Sequence, residues 1–319
     1  MIYGNIKNVN KPVSKIFLGT ASKPFMRGQN CDGLLNAALA CGINAIDTAR
    51  VYGRSERAIG GWLKRCGRRN EVVLLSKCCH PNAFGARVTP RTMRADLKKS
   101  LSALGTDYID IYLLHRDDLS TPVGPLVEEF NSMHASGKIG AFGGSNWSYA
   151  RIAEANEYAY SHSLIPFTVS SPNFSLASQN ADIWGGGVSI SGDEGRAERL
   201  QYKESKMAVV AYSSLARGLF SGRVNSAQGA AAFNQLDKFA VKGYLSEQNL
   251  ARLARCEVLA KELGATVSQT ALAYVLCCGL NSFAVVGSSS AERTAHNAAA
   301  ADIVLTSEQI ARLESGHYF

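Results

Sequence analysis

The sequence predicts an α/β fold, a (β/α)8 barrel of the TIM type, from three observations. Short apolar strands alternate with helices along nearly the whole chain, which is typical of a parallel sheet covered by helices. Eight such strands in 319 residues favour a closed barrel. A doubly wound sheet is the competing architecture, but no G-x-G-x-x-G fingerprint follows the first strand. We therefore expect residues 1–319 to form a single barrel domain.

The first half of the chain carries clear start and stop signals for its strands and helices. The predicted strands cover 15–21, 44–49, 72–77 and 108–115, and the predicted helices cover 32–41, 55–66 and 89–105. Thr89 is a good N-cap, and the proline that follows it suits the first helical position. Gly67 and Gly105 are expected at the ends of the second and third helices.

The second half continues the alternation but contains two long connections. Its predicted strands cover 139–146, 167–171, 208–212 and 283–287, and its helices cover 122–138, 148–161, 246–263, 268–278, 291–300 and, at the C-terminal end, 307–313. The long connections, 173–199 and 215–244, follow the sixth and seventh strands, so both are expected at the catalytic face as binding loops or lids. Trp184, in the first of them, either closes over a substrate or holds its own loop in place.

Composition excludes several classes of function. The net charge of +8 and the 19% of charged residues are ordinary for a soluble globular protein. The sequence contains no run of about eighteen apolar residues, so we expect no membrane span. It also has no apolar segment near residue 1, so we expect no signal peptide. The basic run 64–69 lacks interleaved aromatic residues, so we interpret it as a solvated helix end rather than a nucleic-acid site. We expect a cytoplasmic protein without nucleic-acid or membrane partners.

The cysteines indicate neither disulfides nor a metal site. The chain has eight, including the adjacent pairs Cys78–Cys79 and Cys277–Cys278, but no C-x-x-C spacing. Adjacent residues of a strand point to opposite faces, so such a pair cannot easily bind one metal ion. We expect free thiols in a reducing compartment.

Four polar side chains lie at or just beyond the ends of three successive predicted strands. Asp47 is near the end of the second strand with Tyr52 five residues later, Lys77 ends the third, and His115 ends the fourth. Each has an ordinary interpretation alone: a turn cap, a surface aromatic, a solvated rim charge and a buried structural histidine. Because the carboxyl ends of barrel strands point into the active-site mouth, their joint occurrence indicates a catalytic site.

At these residues the sequence resembles the aldo-keto reductase superfamily, over nearly the whole chain. The motifs, in the family's order, are Asp47-Thr-Ala-x-x-Tyr52-Gly-x-Ser-Glu56, the strand-end Lys77, Leu113-Leu-His115, Gly137-Lys-Ile-Gly-Ala-Phe-Gly-Gly-Ser145-Asn146, and Gly287-Ser-Ser-Ser-Ala-Glu-Arg293-x-x-x-Asn297. The resemblance implies an oxidoreductase that reduces a carbonyl, in an aldehyde, a ketone or an open-chain sugar, to an alcohol with NADPH, with NADH as a possible alternative.

The resemblance also implies roles for the strand-end residues. Tyr52 would be the proton donor, with Lys77, Asp47 and His115 as its partners. The pKa of a free tyrosine is about 10, which is high for proton donation at neutral pH, and the Lys77 ammonium is expected to lower it. Asp47 would keep Lys77 charged and oriented, and His115 could donate a hydrogen bond to the substrate oxygen.

The same resemblance implies a set of cofactor-binding residues. Ser145 and Asn146 would hold the nicotinamide carboxamide, and Tyr212 would stack on the ring. Ser288, Arg293 and Asn297 would contact the 2′-phosphate and adenine. The expected set is Ser145, Asn146, Ser171, Tyr212, Ser213, Leu215, Arg217, Gly287, Ser288, Arg293, His296 and Asn297.

The sequence departs from the family pattern at two of these positions. Ser171 stands where the family commonly has glutamine, and Gly287 stands where it often has a lysine before the serine of the phosphate loop. The missing lysine weakens the expectation of a strict NADPH preference. His80 belongs to no family motif.

Two other functions remain open for the same barrel. One is a regulatory or redox-sensing protein that binds the cofactor with negligible turnover, like the auxiliary subunits of some potassium channels. The other is a Schiff-base aldolase with Lys77 as the nucleophile, although an amine beside Asp47 is expected to stay protonated. Neither the physiological substrate nor the oligomeric state follows from the sequence.

Overall fold

Eight parallel strands close into a ring in the computed structural model, which describes residues 1–315. The ring consists of β3 (Ile16–Gly19), β4 (Ala45–Asp47), β5 (Val73–Cys78), β6 (Ile109–Leu114), β7 (Ile139–Ser145), β8 (Val169–Ser171), β9 (Ala208–Ala211) and β10 (Asn281–Gly287). Two further strands, β1 (Tyr3–Gly4) and β2 (Val13–Ser14), form a separate antiparallel hairpin. Strands β3 to β9 follow one another around the ring, and β10 closes it between β9 and β3. The predicted (β/α)8 barrel is therefore confirmed. The predicted single domain, 1–319, includes residues 316–319, which lie outside the described residues.

Helices cover the outside of the ring. They are α1 (Lys23–Met26), α2 (Asp32–Ala40), α3 (Ser55–Cys66), α4 (Pro90–Leu104), α5 (Val123–Ala135), α6 (Tyr149–Ser161), α7 (Arg196–Ser205), α8 (Lys238–Tyr244), α9 (Glu247–Glu262), α10 (Val267–Cys277), α11 (Ala291–Ala298) and α12 (Ser307–Ser315). The capping signals of α4 operate as predicted: Thr89 Oγ1 accepts a hydrogen bond from the Thr92 amide at 3.2 Å, and Gly105 ends the helix with φ of 62°.

Five of the numbered strands and helices were not predicted. The hairpin β1–β2 consists of two-residue strands, which are too short to show an alternation of apolar residues. Helix α1 is a single turn. Helices α7 and α8 begin inside or at the end of the two long connections, and α7 buries only Tyr202, so it lacks a wide apolar face. The predicted long connections after the sixth and seventh barrel strands are otherwise present.

The barrel interior is filled by side chains that alternate along each strand. The inner cluster includes Phe17, Ala45, Val73, Leu75, Ile111, Leu113, Ala141, Val169, Val210 and Phe283. Ile6 and Val13, from the hairpin segment, belong to the same cluster and close the end of the barrel where the strands begin. A second, larger cluster fills the space between the strands and the helices. The interior is a packed core, so only its carboxyl end can hold a ligand.

A buried carboxylate ties the amino-terminal ends of β5 and β6 together. Asp110 is 5% exposed and contacts Lys11 Nζ at 2.7 Å and Arg69 Nη2 at 2.9 Å. It also accepts a hydrogen bond from the Leu74 amide at 2.9 Å. The Tyr108 ring lies beneath the Arg69 guanidinium, 3.9 Å from its central carbon. This network joins the segment before β3 to the barrel base, opposite the catalytic end.

Candidate active site

The alternation of side chains along the strands explains how distant residues meet at one end of the barrel. In β5, Val73 and Leu75 face the interior, so Lys77 continues the same inward series. In β6 the inward series of Ile111 and Leu113 continues to His115, just beyond the strand. Strand β4 lies beside β5, and its inward residue Ala45 is followed by Asp47. The three polar side chains therefore form the top layer above an apolar core.

Asp47, Lys77 and Tyr52 are in direct proximity. The Lys77 ammonium forms an ion pair with the Asp47 carboxylate and donates a hydrogen bond to the Thr48 carbonyl at 3.2 Å. The same ammonium is 5.3 Å from the centre of the Tyr52 ring. Asp47 is 5% exposed and Lys77 is 3% exposed, so their attraction is weakly screened. A phenol, an ammonium and a carboxylate thus share one buried corner.

The electrostatics of Lys77 keep it a cation. Burial lowers the pKa of its ammonium. The neighbouring Asp47 carboxylate and Tyr52 phenol raise that pKa by more, so it lies above its ordinary value. An amine that stays protonated is a poor nucleophile. The Schiff-base aldolase considered from the sequence is therefore disfavoured by this geometry.

Burial changes the pKa of Tyr52 more than the sequence led us to expect. It raises the pKa of the phenol, and the Lys77 charge only partly offsets that increase, so the pKa lies above 10. The expected lowering by Lys77 operates, but it does not determine the sign of the net change. Tyr52 therefore carries its proton throughout the neutral pH range.

His115 is a neutral imidazole beside Tyr52. Its ring meets the Tyr52 ring edge to face, with centroids 5.7 Å apart. Burial, followed by the charges of Lys77, His80 and Arg116, lowers the pKa of His115 well below 6.5. Its Nδ1 atom is buried and has no hydrogen-bond partner within residues 1–315. A neutral ring can still donate one hydrogen bond to a ligand.

These side chains line one end of a cavity of about 810 Å³ that opens at the carboxyl end of the barrel. Ten of the twelve predicted cofactor-binding residues also line it: Ser145, Asn146, Tyr212, Ser213, Leu215, Arg217, Gly287, Arg293, His296 and Asn297. A cavity of this size accommodates a large cofactor together with a small ligand. The strand-end residues and most of the predicted cofactor residues therefore belong to one continuous site.

Two predicted cofactor residues do not line the cavity. The Ser171 side chain is fully buried, and its carbonyl instead accepts hydrogen bonds from Ser145 Oγ at 2.9 Å and the Asn146 amide at 3.2 Å. The Ser288 hydroxyl donates to the Ser290 carbonyl at 3.0 Å and accepts from Thr294 Oγ1 at 2.8 Å. The Ser171 Oγ atom itself has no hydrogen-bond partner within residues 1–315. The direct cofactor contacts expected of Ser171 and Ser288 stay predictions.

Ser145, Asn146 and Tyr212 form a hydrogen-bonded group that lines the cavity. Tyr212 Oη donates to Asn146 Oδ1 at 2.7 Å, and Asn146 Nδ2 donates to the His115 carbonyl at 3.1 Å and to Ser145 Oγ at 3.0 Å. Asn146 has a φ of 60°, a left-handed conformation that asparagine tolerates better than most residues. Its carboxamide is thereby fixed beside the catalytic corner.

The opposite end of the cavity is basic and rich in hydroxyl groups. Arg293 lies in the first turn of α11, where Ser290 is the N-cap and its hydroxyl accepts the Arg293 amide at 3.1 Å. The exposed Arg293 side chain forms no ion pair within the described residues. His296 Nε2 contacts Thr266 Oγ1 at 2.9 Å. A helix N-terminus with a free guanidinium suits a phosphate group.

The long loops bring Arg217 and Trp184, both considered from the sequence, together with Asp237 and Phe239, which the sequence did not assign. Arg217 pairs with Asp237 at 2.7 Å, and its guanidinium lies 4.7 Å from the Trp184 ring centre and 5.3 Å from that of Phe239. The Trp184 and Phe239 rings stack with centroids 6.1 Å apart. Trp184 thus joins the two loops, as one of the interpretations from the sequence expected. It also lines the cavity, and its closure over a substrate stays a prediction.

Two further cavity residues, His80 and Arg116, were also unassigned. The His80 ring contacts the His115 ring edge to face, with centroids 4.8 Å apart. Arg116 directly follows His115 and lines the same end of the cavity. The only sequence signal for either was proximity to a strand end, since neither belongs to a motif.

Residues 1–315 offer neither a membrane span nor a metal site. No helix there is long and apolar enough to cross a membrane. No group of three or more histidine, cysteine, aspartate or glutamate side chains in that part of the chain could hold a metal ion. All eight cysteines are free thiols, four of them buried.

Comparison with known proteins agrees with the geometry. The sequence matches the Aldo/keto reductase family over residues 15–316. Similar proteins include an aldo-keto reductase of Strobilurus tenacellus, 29% identical over 87% of this chain and 78% of the relative. An aryl-alcohol dehydrogenase of Pestalotiopsis microspora is 29% identical over 90% of this chain and 72% of its own length. A putative voltage-gated potassium channel subunit beta of Schizosaccharomyces pombe is 26% identical, over 90% and 83% respectively.

Proposed function

Because the chain belongs to the aldo/keto reductase family, we propose that it is an NADPH-dependent oxidoreductase that reduces the carbonyl of a small molecule to an alcohol. Tyr52 is the general acid of this reaction. The observation that carries the proposal is the shared corner of Asp47, Lys77 and Tyr52, with His115 beside it, at one end of a deep cavity.

Each side chain of the corner has one task in carbonyl reduction. As the carbonyl oxygen gains negative charge, Tyr52 Oη gives it a proton, and the Lys77 ammonium stabilises the phenolate that remains. Asp47 holds Lys77 in place and keeps it charged. The neutral imidazole of His115 donates a hydrogen bond to the same substrate oxygen. These interactions strengthen as charge develops, so they favour the transition state over the ground state.

The residues of the cavity fit a phosphorylated dinucleotide. When bound, NADPH supplies the hydride for the reaction. Ser145, Asn146 and Tyr212 would hold its nicotinamide, because they form the polar group next to the catalytic corner. Arg293 would bind its 2′-phosphate, since this exposed guanidinium lies beside the N-terminus of α11. The other cavity-lining members of the predicted set, from Ser213 to Asn297, would contact the rest of the cofactor.

The proposal is tested by following NADPH consumption with a panel of aromatic aldehydes, aliphatic aldehydes, ketones and open-chain sugars, and by identifying the alcohol product. An aryl substrate is the first choice, because one relative is named an aryl-alcohol dehydrogenase and Trp184 offers an aromatic surface in the cavity. Cofactor consumption that yields the alcohol and requires Tyr52 supports the proposal. Equal turnover in a Tyr52→Phe variant would refute it.

A second candidate is a regulatory barrel that binds the cofactor with negligible turnover. The relative named as a putative potassium channel subunit beta favours it. The complete set of Asp47, Tyr52, Lys77 and His115 argues against it, because a protein without turnover has no need for an acid and its supporting cation. Calorimetric titration with NADPH, combined with the substrate panel, separates the two candidates: tight binding without any turnover supports the regulatory function.

A further inference from the structure

Arg116 is a cavity cation that forms no ion pair within residues 1–315. Its guanidinium donates to the His115 carbonyl and to the Trp184 carbonyl, each at 3.2 Å. Both acceptors are uncharged, and they use two of the five N–H donors of the side chain. The Nε atom has no partner among residues 1–315. The side chain is half-buried, so water screens its charge less than on an open surface.

Three carboxylates lie near Arg116 in sequence or interact with its charge, and each has other hydrogen-bond or ion-pair partners. Asp117 pairs with Arg151 at 3.3 Å. Asp118 accepts hydrogen bonds from the amide and the hydroxyl of Ser120. Asp182, whose pKa Arg116 helps to lower, accepts the amides of Trp184 and Gly187 and forms no ion pair within the described part of the chain. Arg116 therefore has an unused capacity for an anion.

An anion bound by Arg116 would lie far from the cofactor's phosphate, because the two sites follow different strands of the ring. Arg116 follows β6, and Arg293 follows β10. In the order β10-β3-β4-β5-β6-β7-β8-β9, the strands β6 and β10 lie diametrically opposite each other. The other cations of the cavity are paired, as Lys77 and Arg217 are, or lie in the loops after β9 and β10. An anion at Arg116 must then belong to the molecule next to Tyr52.

We propose that Arg116 binds a carboxylate of the carbonyl substrate, so that the protein prefers carboxylated aryl aldehydes to neutral ones. This inference rests on the proposed function, because it takes the molecule next to Tyr52 to be the substrate. One guanidinium has a planar fork that matches one carboxylate, whereas a phosphate group usually meets several donors or a helix N-terminus. The Trp184 indole and the imidazoles of His80 and His115 supply flat surfaces for an aryl ring.

The test compares 4-carboxybenzaldehyde with methyl 4-formylbenzoate, which has the same ring and aldehyde but no charge. We expect the wild-type KM to be lower for the acid than for the ester. Arg116→Gln is expected to raise the KM for the acid by roughly 10- to 100-fold, because a charge-assisted hydrogen bond is lost. The KM for the ester is expected to change by less than about twofold. Arg116→Lys should recover part of the preference, because it keeps the charge.

A matched control removes an equal charge far from the cavity. Arg91 is exposed on α4 and does not line the cavity, so Arg91→Gln should leave the acid-to-ester ratio unchanged. If Arg116→Gln raised the KM for the acid and the ester equally, the proposal would be overturned, because Arg116 would then serve only to hold the Trp184 loop. The absence of any preference in the wild type would also overturn it.

A binding measurement keeps this inference separate from the proposed function. The dissociation constants of both compounds are measured by calorimetry in the presence of NADP+, which cannot reduce them. A charge preference that Arg116→Gln abolishes supports the inference even if neither compound turns over, and in that case the proposed function alone fails. Turnover of both compounds without any dependence on Arg116 leaves the proposed function in place and refutes the inference.

Discussion

The Lys77 ammonium lies 5.3 Å from the centre of the Tyr52 ring, although 25 positions of chain separate the two residues. Asp47 pairs with the same ammonium, so the cation cannot move away from the phenol without breaking a buried ion pair. The cost of separating such a pair is several kcal/mol. The position of Lys77 beside Tyr52 is thus supported by the packed barrel.

The first prediction is that Tyr52→Phe removes carbonyl reduction and spares cofactor binding. A phenyl ring keeps the shape of Tyr52 but has no proton to donate. We expect kcat to fall by roughly 10²- to 10⁴-fold, with a dissociation constant for NADPH within twofold of the wild type. Steady-state kinetics and fluorescence titration measure the two quantities. Tyr160→Phe, on the exposed face of α6, is the control and should change neither.

The second prediction concerns the pH profile of the reduction. The reaction needs a protonated Tyr52, and burial raises the pKa of this phenol above 10. Activity is therefore fully present below that pKa and is lost as the pH rises through it. The pKa of His115 lies well below 6.5, so this ring stays neutral over the same range. We expect kcat/KM to be constant between about pH 6.5 and 9.5. An inflection near pH 6.5 would show that His115 titrates in the working enzyme.

The direction of the side chains at strand ends could be predicted from the sequence, because side chains alternate between the two faces of a strand. Once 73, 75 and 77 are assigned to one face, the direction of Lys77 follows, and the same holds for His115 after Ile111 and Leu113. The strand and helix limits agree with the prediction to within three residues for the same reason, since apolar periodicity and capping residues mark them.

Contacts between loops could not be predicted in this way. Trp184 and Phe239 stack across 55 positions of chain, and neither loop has a periodic pattern that fixes its direction. The position of the Arg116 side chain depends on one of these loops, because one of its two hydrogen bonds goes to the Trp184 carbonyl. Ser171 was expected to contact the cofactor because of the family resemblance, and that contact stays a prediction. The structure adds that its carbonyl supports Ser145 and Asn146.

The third prediction is that Asp110→Asn destabilises the barrel. The substitution leaves Lys11 and Arg69 without the carboxylate that they share, in a site that is largely closed to water. Breaking such a buried network costs roughly 3–5 kcal/mol of unfolding free energy. Urea unfolding measures the change. Glu71→Gln, in the exposed pair with Arg68, is the control and should have little effect. Similar midpoints for both variants would show that the Asp110 network is not structurally important.

The fourth prediction is that Arg293→Ala weakens NADPH binding but not NADH binding. Only NADPH carries the 2′-phosphate, and Arg293 in the first turn of α11 is exposed and lines the cavity. Losing a charge-assisted contact is expected to raise the dissociation constant for NADPH by roughly 10- to 100-fold. NADH serves as the internal control, with an expected change below twofold. An equal loss for both cofactors would mean that Arg293 does not bind the phosphate.

The fifth prediction is a gain of cofactor selectivity in Gly287→Lys. Gly287 ends β10, is exposed, and has no heavy atom within 4 Å of the position that a Cβ would occupy. Its φ lies outside the left-handed region, so a side chain can be added without backbone strain. A lysine there would add a second cation to the end of the cavity that holds Arg293. We expect NADPH to bind roughly 3- to 10-fold more tightly, as one partly screened ion pair allows, and NADH to be unaffected.

Gly287→Met is the matched control, because it adds a chain of similar length without charge. A tighter complex with NADPH in the lysine variant alone attributes the gain to the charge. The same substitution in an Arg293→Ala background should restore part of the lost affinity, since both cations would act on one phosphate. If Gly287→Lys tightens NADPH and NADH to the same extent, the added cation acts on the pyrophosphate shared by both cofactors, and the 2′-phosphate lies elsewhere.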